Sequence, residues 1–407
     1  MANEKLNILT AVDIGSSKTV ALTAEITDQG LHYVGHGICE TRGVRKGVIA
    51  DLEKAITTVQ TAVQQAEDMV GAPIEHAVVG IAGPNIRGVN SQGGVSIGSR
   101  ARDISRDDVR QAVDKARTIG LPPDRQVLHL LPQEFILDGQ DGIHEPVAMV
   151  GSKLEVRLHV VTAASSPAQN VVTTMNRAGI LVDDTVLEQL AASDAVLRQD
   201  ERELGICLCD IGAGSTDIIV FYEGAVYHTG AVPIGGDHFT NDTAVGLRTP
   251  LDAAEKLKRM FGCAVVTGIP ESNEVEVPSL GDRPSRLISQ RDLGEILEPR
   301  ARELFELIRD HLEAAGVLDL CGAGFVLTGG ASKLNGLLDM VDQVLRRPAR
   351  IAVPVPVPKM PADLLDPSYA TSIGLLLYAY RMRNTRAQAD SDSPLAKLKA
   401  LFVKRTY

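Results

Sequence analysis

Three glycine-rich stretches combine acidic, hydroxyl and glycine residues at spacings typical of phosphate binding. They span residues 13–19, 210–217 and 328–332. Glycine lets a turn come close to a phosphate group, and serine or threonine hydroxyls can donate hydrogen bonds to it. The candidate phosphate contacts in the first two stretches are Gly15, Ser16, Ser17, Lys18, Thr19, Gly212, Ala213, Gly214, Ser215 and Thr216.

Each of the first two stretches opens with an aspartate at the end of an apolar segment. A magnesium ion gives up its water reluctantly, so Asp13 and Asp210 suit an ion held mostly through water. Lys18 is placed to neutralise a phosphate charge. The residue types therefore predict a site for a phosphorylated ligand with magnesium.

The surrounding elements must bring these stretches together. Apolar segments flank residues 13–19 and 210–217, which predicts a β-hairpin at each. Residues 325–328 read as a buried strand, followed by a glycine turn and a helix from about Ser332. There Gly329, Gly330 and Ala331 offer bare backbone to a base or ribose. One such turn alone is usually a plain hairpin, but the three together predict a single nucleotide site.

The ordered set resembles the phosphate-1, phosphate-2 and adenosine motifs of the actin, Hsp70 and sugar-kinase superfamily. Within it the chain is similar to the FtsA family over nearly its whole length. The resemblance implies an α/β, actin-like two-lobed ATPase fold with duplicated ribonuclease-H-like cores, an inserted small α+β subdomain, and ATP with Mg²⁺ in the cleft. It is carried by residues 42–47, 131–135, 200–205, 250–264, 298–300, 371–375 and the tail.

Each region of the chain receives an expected role. The resemblance implies that the insert contacts neighbouring subunits and later division proteins. Residues 384–394 are polar without apolar periodicity, which predicts a flexible linker. The expected division is 1–83 and 163–195 (with part of 360–383) for the first lobe, 84–162 for the insert, 196–240 and 316–383 for the second lobe, 241–315 for a partner-binding subdomain, 384–394 for the linker and 395–407 for an amphipathic helix.

Four further site residues follow from the resemblance. Glu188 lies where related proteins orient the water that attacks the terminal phosphate, although a solvated glutamate at a helix start is an equal alternative. Glu255 and Lys258 share one face of a predicted helix at 251–261 and match the family's ribose and base contacts, or form a surface ion pair. Arg300 is the candidate contact for the carboxyl-terminal peptide of FtsZ, against plain surface charge.

The carboxyl-terminal residues have the pattern of a helix that lies in a membrane surface. Leu395, Leu398, Leu401 and Phe402 share one helical face, with Lys399, Lys404 and Arg405 beside or opposite it. Docking of this helix on the protein's own core is the alternative. Such a short helix binds anionic lipids weakly alone, and self-association would add avidity.

Composition excludes some classes of protein. A net charge of −11 over 407 residues argues against nucleic-acid binding. The five cysteines have no metal-ligand spacing, so buried reduced thiols are expected, and His129, His144 and His159 are expected to be surface or packing residues. No apolar run is long enough to cross a bilayer, which predicts a cytoplasmic protein.

The combined prediction is an ATP-binding, self-associating protein that anchors FtsZ filaments to the cytoplasmic face of the bacterial inner membrane at the division septum. The sequence does not decide whether the protein is also a weak ATPase. The alternatives are a scaffold of type IV pilus assembly and a small-molecule kinase of the same superfamily. The chain has no evident acceptor pocket or general base for a kinase.

Overall fold

The computed structural model describes residues 7–118, 120–281 and 283–390. In the first lobe, Asp51 caps the first helix by accepting the amide of Lys54, as its position before an amphipathic segment predicts. The elements are strands β1 (Ile8–Ile14), β2 (Lys18–Thr27), β3 (Gly30–Glu40), β4 (Val44–Arg45) and β5 (Val48–Ile49), helix α1 (Leu52–Val70) and strand β6 (His76–Ile81).

The insert follows β6 and has its own apolar core beneath one helix. Ser105 and Asp108 form a capping box at the start of that helix. The elements are β7 (Ile86–Ser96), β8 (Arg102–Asp103), α2 (Arg106–Arg117), β9 (Arg125–Leu137), β10 (Gln140–Ile143), β11 (Val150–Gly151) and β12 (Lys153–Ala164). Four of the strands form an antiparallel sheet in the order β10-β9-β12-β7.

The chain then returns to the first lobe through α3 (Ser165–Arg177), β13 (Leu181–Leu187) and α4 (Glu188–Val196). The first-lobe sheet has the order β13-β6-β1-β2-β3. Strand β1 is antiparallel to β2 and parallel to β6. Strand β13 runs to Leu187, so helix α4 begins directly after it at Glu188.

The second lobe repeats this arrangement with the strand order β16-β15-β14-β19-β20. Strand β14 is antiparallel to β15 and parallel to β19, as β1 is to β2 and β6. Its elements are α5 (Gln199–Leu204), β14 (Ile206–Ile211), β15 (Thr216–Tyr222), β16 (Ala225–Val232), α6 (Gly236–Leu247), α7 (Leu251–Phe261), β17 (Glu274–Val277), β18 (Arg286–Ser289), α8 (Gln290–Ala314), β19 (Gly324–Thr328), α9 (Leu337–Leu345) and β20 (Ala349–Ile351). The last helix, α10 (Ala370–Asp390), returns to pack against α4 and β1 of the first lobe.

Helices α4 and α10 share an apolar core with strands of both sheets, including Leu22 of β2, Leu208 of β14, Leu190 of α4 and Ile373 of α10. Burial of these side chains joins the two lobes at their base. The duplicated sheets and the α+β insert confirm the predicted fold class.

Two sequence predictions differ from the structure. A short 3-10 turn, Gly330–Lys333, follows the third glycine stretch, and helix α9 begins only at Leu337. The predicted linker is wrong for residues 384–390, because α10 continues to Asp390. Its last part, 391–394, and the predicted membrane helix 395–407 lie outside the described residues.

Candidate functional site

The first two glycine stretches form the turns of two equivalent hairpins. Ile14 pairs with Thr19 across the first turn, and Ile211 pairs with Thr216 across the second. The side chains of Thr19 and Thr216 are fully buried and point elsewhere, since Thr19 bonds to the Thr41 hydroxyl at 2.8 Å and Thr216 donates to the Ile234 carbonyl at 2.8 Å. Among the other hydroxyl residues of the two turns, Ser17 is exposed, whereas Ser215 is buried and donates to Asp217 Oδ2 at 3.4 Å.

The two turns face each other across the cleft. A Cβ atom added to Gly214 would lie 2.9 Å from Oγ of Ser16 and 2.7 Å from Cα of Lys46. Ser16 Oγ also accepts the amide of Gly47 at 3.0 Å, which fixes the first turn to the β4–β5 segment. Glycine at position 214 is therefore required for this close approach.

The third stretch reaches the same place from β19. Gly329 has φ of 83°, and a Cβ atom there would lie 2.3 Å from Oδ1 of Asp210. The adenosine-type turn thus lies against the carboxylate that ends β14. The structure therefore brings all three glycine stretches together.

Four carboxyl groups converge between the turns. Burial, together with nearby negative charges, raises the pKa of Asp210 to about 6 and that of Asp217 to about 7. Burial raises the pKa of Asp13, and burial and the charges of three aspartates raise the pKa of Glu188 well above its usual value. A cation would relieve this mutual repulsion.

Among residues 7–118, 120–281 and 283–390, no three or more His, Cys, Asp or Glu side chains are placed to hold a metal ion directly. A magnesium ion that keeps most of its water needs fewer direct ligands. The carboxyl groups of Asp13, which is buried, and Asp210, which is partly buried, therefore fit a hydrated magnesium ion, and the glycine turns beside them fit phosphate groups.

Two hydroxyl groups at the start of α10 support these aspartates. Thr371 Oγ1 donates to Asp210 Oδ2 at 2.6 Å, and Ser372 Oγ donates to Asp13 Oδ2 at 2.8 Å. Each hydrogen bond stabilises the ionised form and so opposes the effect of burial.

Lys18 lies over the ring of Tyr369, with Nζ 3.2 Å from the ring centroid, and donates to Ser368 Oγ at 2.9 Å. Burial lowers the pKa of Lys18 to about 8, although Asp13 and Asp366 favour its charged form. The lysine thus lies at the base of the first turn on the α10 side.

Glu188 begins α4 and is half-buried. A Cβ atom on Gly80 would lie 2.7 Å from its Cγ and Oε1 atoms, so the side chain lies against bare backbone of β6. A small cavity beside it is lined also by Gly47, Asn85 and Ala163. Burial and the neighbouring aspartates oppose ionisation of Glu188 and so raise its pKa, whereas a nearby cation would favour its ionised form.

Glu255 and Lys258 form the predicted pair on α7, with Lys258 Nζ 2.6 Å from Glu255 Oε2. Lys258 also donates to the Gly236 carbonyl at 3.0 Å, and the Gly236 amide donates to the Gly212 carbonyl at 2.9 Å. The pair is thereby connected to the second phosphate turn and is more than an isolated surface contact.

Arg300 makes several ion pairs within the chain. Its Nε lies 2.6 Å from Asp242 Oδ2 on α6, and it also contacts Glu303. Beside α6, an open groove exposes Val245 at 78% and Leu251 at 56%. Its lining includes arginines at 248, 283 and 286.

The three histidines are packing or surface residues, as expected. His159 is 1% exposed, and its ring bonds Asn90 Oδ1 at 2.6 Å and Thr229 Oγ1 at 2.9 Å. His129 accepts the amide of Leu187, and His144 is exposed. Three of the five cysteines are buried, and all five are free.

Sequence reasoning missed four residues of this region. Asp217 lies in the second glycine stretch, where the motif alone predicts no separate role for it, and Thr371 and Ser372 lie in a segment that resembles the family without a predicted role. The Gln189 amide is fully buried and has no hydrogen-bond partner among the described residues. Of these four residues, only Asp217 could have been found from the sequence, because it lies seven residues after Asp210 in the second glycine stretch.

Residues 207–374 match the family model "Cell division protein FtsA", and residues 83–162 match "SHS2 domain inserted in FTSA". The FtsA protein of Pseudomonas aeruginosa is 43% identical over 96% of this chain and 95% of its own length. The chain belongs to the FtsA family of cell division proteins.

Other FtsA proteins agree. That of Escherichia coli K12 is 34% identical over 98% of this chain and 96% of its own length. That of Bacillus subtilis is 35% identical over 95% of this chain and 86% of its own length. Family membership supports a role in cell division.

Solved structures show the fold alone. A PilM-PilN type IV pilus biogenesis complex matches with a TM-score of 0.65 at 17% identity, covering 91% of this chain and 98% of that chain. The MreB5 protein of Spiroplasma citri bound to ADP matches with a TM-score of 0.54 at 14% identity, and the match covers 94% of this chain and 98% of that chain. In the described part of the chain, no helix is long and apolar enough to span a membrane.

Proposed function

We propose that this FtsA-family protein binds ATP with magnesium between its lobes and, in the closed state, self-associates and anchors FtsZ filaments to the membrane. The convergence of the three glycine turns on Asp13 and Asp210 supports nucleotide binding most directly. Magnesium would be held through water by these two carboxyls, and its charge would offset the repulsion between them.

The chain's own groups each have a proposed part in this site. Lys18 contributes positive charge to the phosphates, and Gly329, Gly330 and Ala331 provide a surface for the adenosine. Glu255 and Lys258 lie beside the second turn, where Lys258 contacts the Gly236 carbonyl. Glu188, when ionised, would orient a water molecule toward the terminal phosphate.

ATP favours the closed state only if that state binds it more tightly. Contacts from both lobes meet at the turns, because Ser16 belongs to the first lobe and Gly214 to the second. A ligand bound to both turns would therefore stabilise their approach. Nucleotide would then control assembly rather than drive metabolism.

The groove beside α6 is the proposed surface for the FtsZ carboxyl-terminal peptide. Its exposed Val245 and Leu251 offer apolar contact, and its arginines attract an acidic segment. Arg300 orders the neighbouring face of α6 through Asp242. The amphipathic tail at 395–407 would supply the membrane contact.

Calorimetric titration of the full-length protein with ATP in the presence of Mg²⁺ tests the nucleotide part of this proposal. Binding that is lost in Gly212→Val and weakened when Mg²⁺ is chelated is the expected result. Equal heats for the wild type and Gly212→Val would reject the cleft as the binding site.

A further inference from the structure

The first turn of α10 contacts both lobes through two consecutive residues. Thr371 holds Asp210 of the second lobe, and Ser372 holds Asp13 of the first lobe. Both side chains are buried, Thr371 at 8% exposure and Ser372 at 1%. Hydrogen bonds to a carboxylate are stronger than those between neutral groups, so each contact restrains its aspartate.

Each of the two hydroxyls donates to one carboxylate oxygen of its aspartate and leaves the other oxygen free of this contact. They occupy Oδ2, while Asp13 Oδ1 lies on the side of Gly15, where an added Cβ would be 3.8 Å away. Asp210 Oδ1 lies on the side of Gly329, where an added Cβ would be 2.3 Å away. The hydroxyls thus fix each carboxyl group with its other oxygen toward a glycine turn.

Helix α10 is itself held in place. A Cβ atom on Gly374 would lie 2.0 Å from the Ala191 carbonyl oxygen, so the backbones of α10 and α4 are in direct contact. Ile373 and Leu376 are fully buried in the core that joins the two sheets. The two hydroxyls therefore project from a rigid support, which is what precise positioning requires.

We propose that Thr371 and Ser372 are a pair of positioning residues that fix the two aspartates relative to each other across the cleft. Because they are neighbours on one rigid helix, separating the lobes must break one of the two bonds or distort the start of α10. The ligand in this proposal rests on the proposed binding of ATP and magnesium, whereas the positioning of the aspartates does not need a ligand.

The test compares full-length Thr371→Val and Ser372→Ala with Thr371→Ser, which keeps the hydroxyl. The control is Thr174→Val, because Thr174 is fully buried and its hydroxyl donates to the Asn170 carbonyl of its own helix, α3. Amide hydrogen exchange is measured without nucleotide, and ATP affinity is then measured with Mg²⁺.

We expect each α10 variant to speed amide hydrogen exchange in one of the two phosphate turns and not in the other. Thr371→Val should speed exchange in the turn at 211–215, and Ser372→Ala should speed it in the turn at 14–18. Thr174→Val should change neither turn. Loss of a hydrogen bond to a charged group should lower ATP affinity roughly tenfold in each α10 variant, with Thr371→Ser close to wild type.

Unchanged exchange in both turns, or a uniform increase that Thr174→Val also shows, would overturn the proposal. If the wild type itself bound no ATP, the proposed function would fail, and the exchange data would still decide whether the two hydroxyls position the aspartates.

Discussion

The backbone amide of Gly83 donates to Oδ1 of Asp217 over 3.2 Å. Gly83 lies where the chain leaves β6 for the insert, and Asp217 lies in β15 just after the second phosphate turn. The entry to the insert therefore contacts the buried carboxyl cluster directly. Protonation of Asp217 would therefore weaken this hydrogen bond to the residue from which the insert begins.

Adding a methyl group at Gly329 should weaken ATP binding. Gly329→Ala combines a strained φ of 83° with a Cβ only 2.3 Å from Asp210 Oδ1, so the turn must shift. ATP affinity, measured by calorimetry with Mg²⁺, should fall by about tenfold or more.

Gly71→Ala is the matched control for this substitution. Gly71 has φ of 73° and open space around it, so alanine there should cost only about 1 kcal/mol of stability. If both variants lowered ATP affinity equally, backbone strain alone would explain the effect and the contact at Asp210 would have no role.

Acid should weaken the contact between the insert and the second lobe. The Asn90 amide nitrogen donates to the Tyr227 carbonyl, so its oxygen faces His159 Nδ1, which carries the proton. His159 Nε2 then accepts from Thr229. Protonation of Nε2 would remove this acceptor.

Burial, with a smaller effect from His228, lowers the pKa of His159 to about 3. A depressed histidine pKa gives stability that is complete above about pH 6.5 and is lost as the pH falls toward 3. Between pH 7.5 and 5, the free energy of unfolding in urea should fall by up to about 2 kcal/mol more for the wild type than for His159→Gln. The exposed His144→Gln should behave like the wild type, and an unchanged slope in His159→Gln would refute the assignment.

Replacing the unpaired Gln189 amide should stabilise the protein. Gln189 is fully buried and has no hydrogen-bond partner among the described residues, so Gln189→Leu removes an uncompensated polar group. Its urea midpoint should equal or exceed that of the wild type.

Gln133→Leu provides the contrast, because the Gln133 amide donates to the Val226 carbonyl at 3.0 Å. That variant should lose about 1–3 kcal/mol. A large loss of stability in Gln189→Leu would show that the Gln189 amide makes a contact in solution.

Arg300 should matter for binding of the FtsZ peptide. Arg300→Ala frees Asp242 beside the groove and places an unpaired negative charge near an acidic ligand. Peptide affinity, measured by fluorescence anisotropy, should fall roughly tenfold. Arg309→Ala, on the same helix and paired with Asp310, should have little effect. Equal losses in both variants would indicate a general effect of charge.

Local patterns predicted much of the fold. The helix predicted at 251–261 is α7, Leu251–Phe261, and both phosphate hairpins form as the flanking apolar segments indicate. The helix after Ser332 was placed too early, because Gly336 has φ of 80° and α9 starts after it. The linker predicted at 384–394 was wrong for residues 384–390. These residues show no apolar periodicity in the sequence, but they continue α10 as helix-forming residues.

The supporting residues of the site could not be read from the sequence. Thr371 meets Asp210 across 161 positions of chain, and Ser372 meets Asp13 across 359. Hydroxyl residues at a helix start are common, so nothing in their own neighbourhood distinguishes these two. Only the packing of α10 between the two lobes gives them a role.

The most direct test of the central claim is sedimentation of purified FtsZ filaments with anionic liposomes in the presence of the full-length protein and ATP with Mg²⁺. The adaptor role predicts that filaments pellet with liposomes only when the protein is present, and not with a variant lacking residues 394–407. Filaments that remain in the supernatant while the protein itself pellets would contradict the adaptor role. Equal pelleting by the truncated variant would contradict the role of the tail.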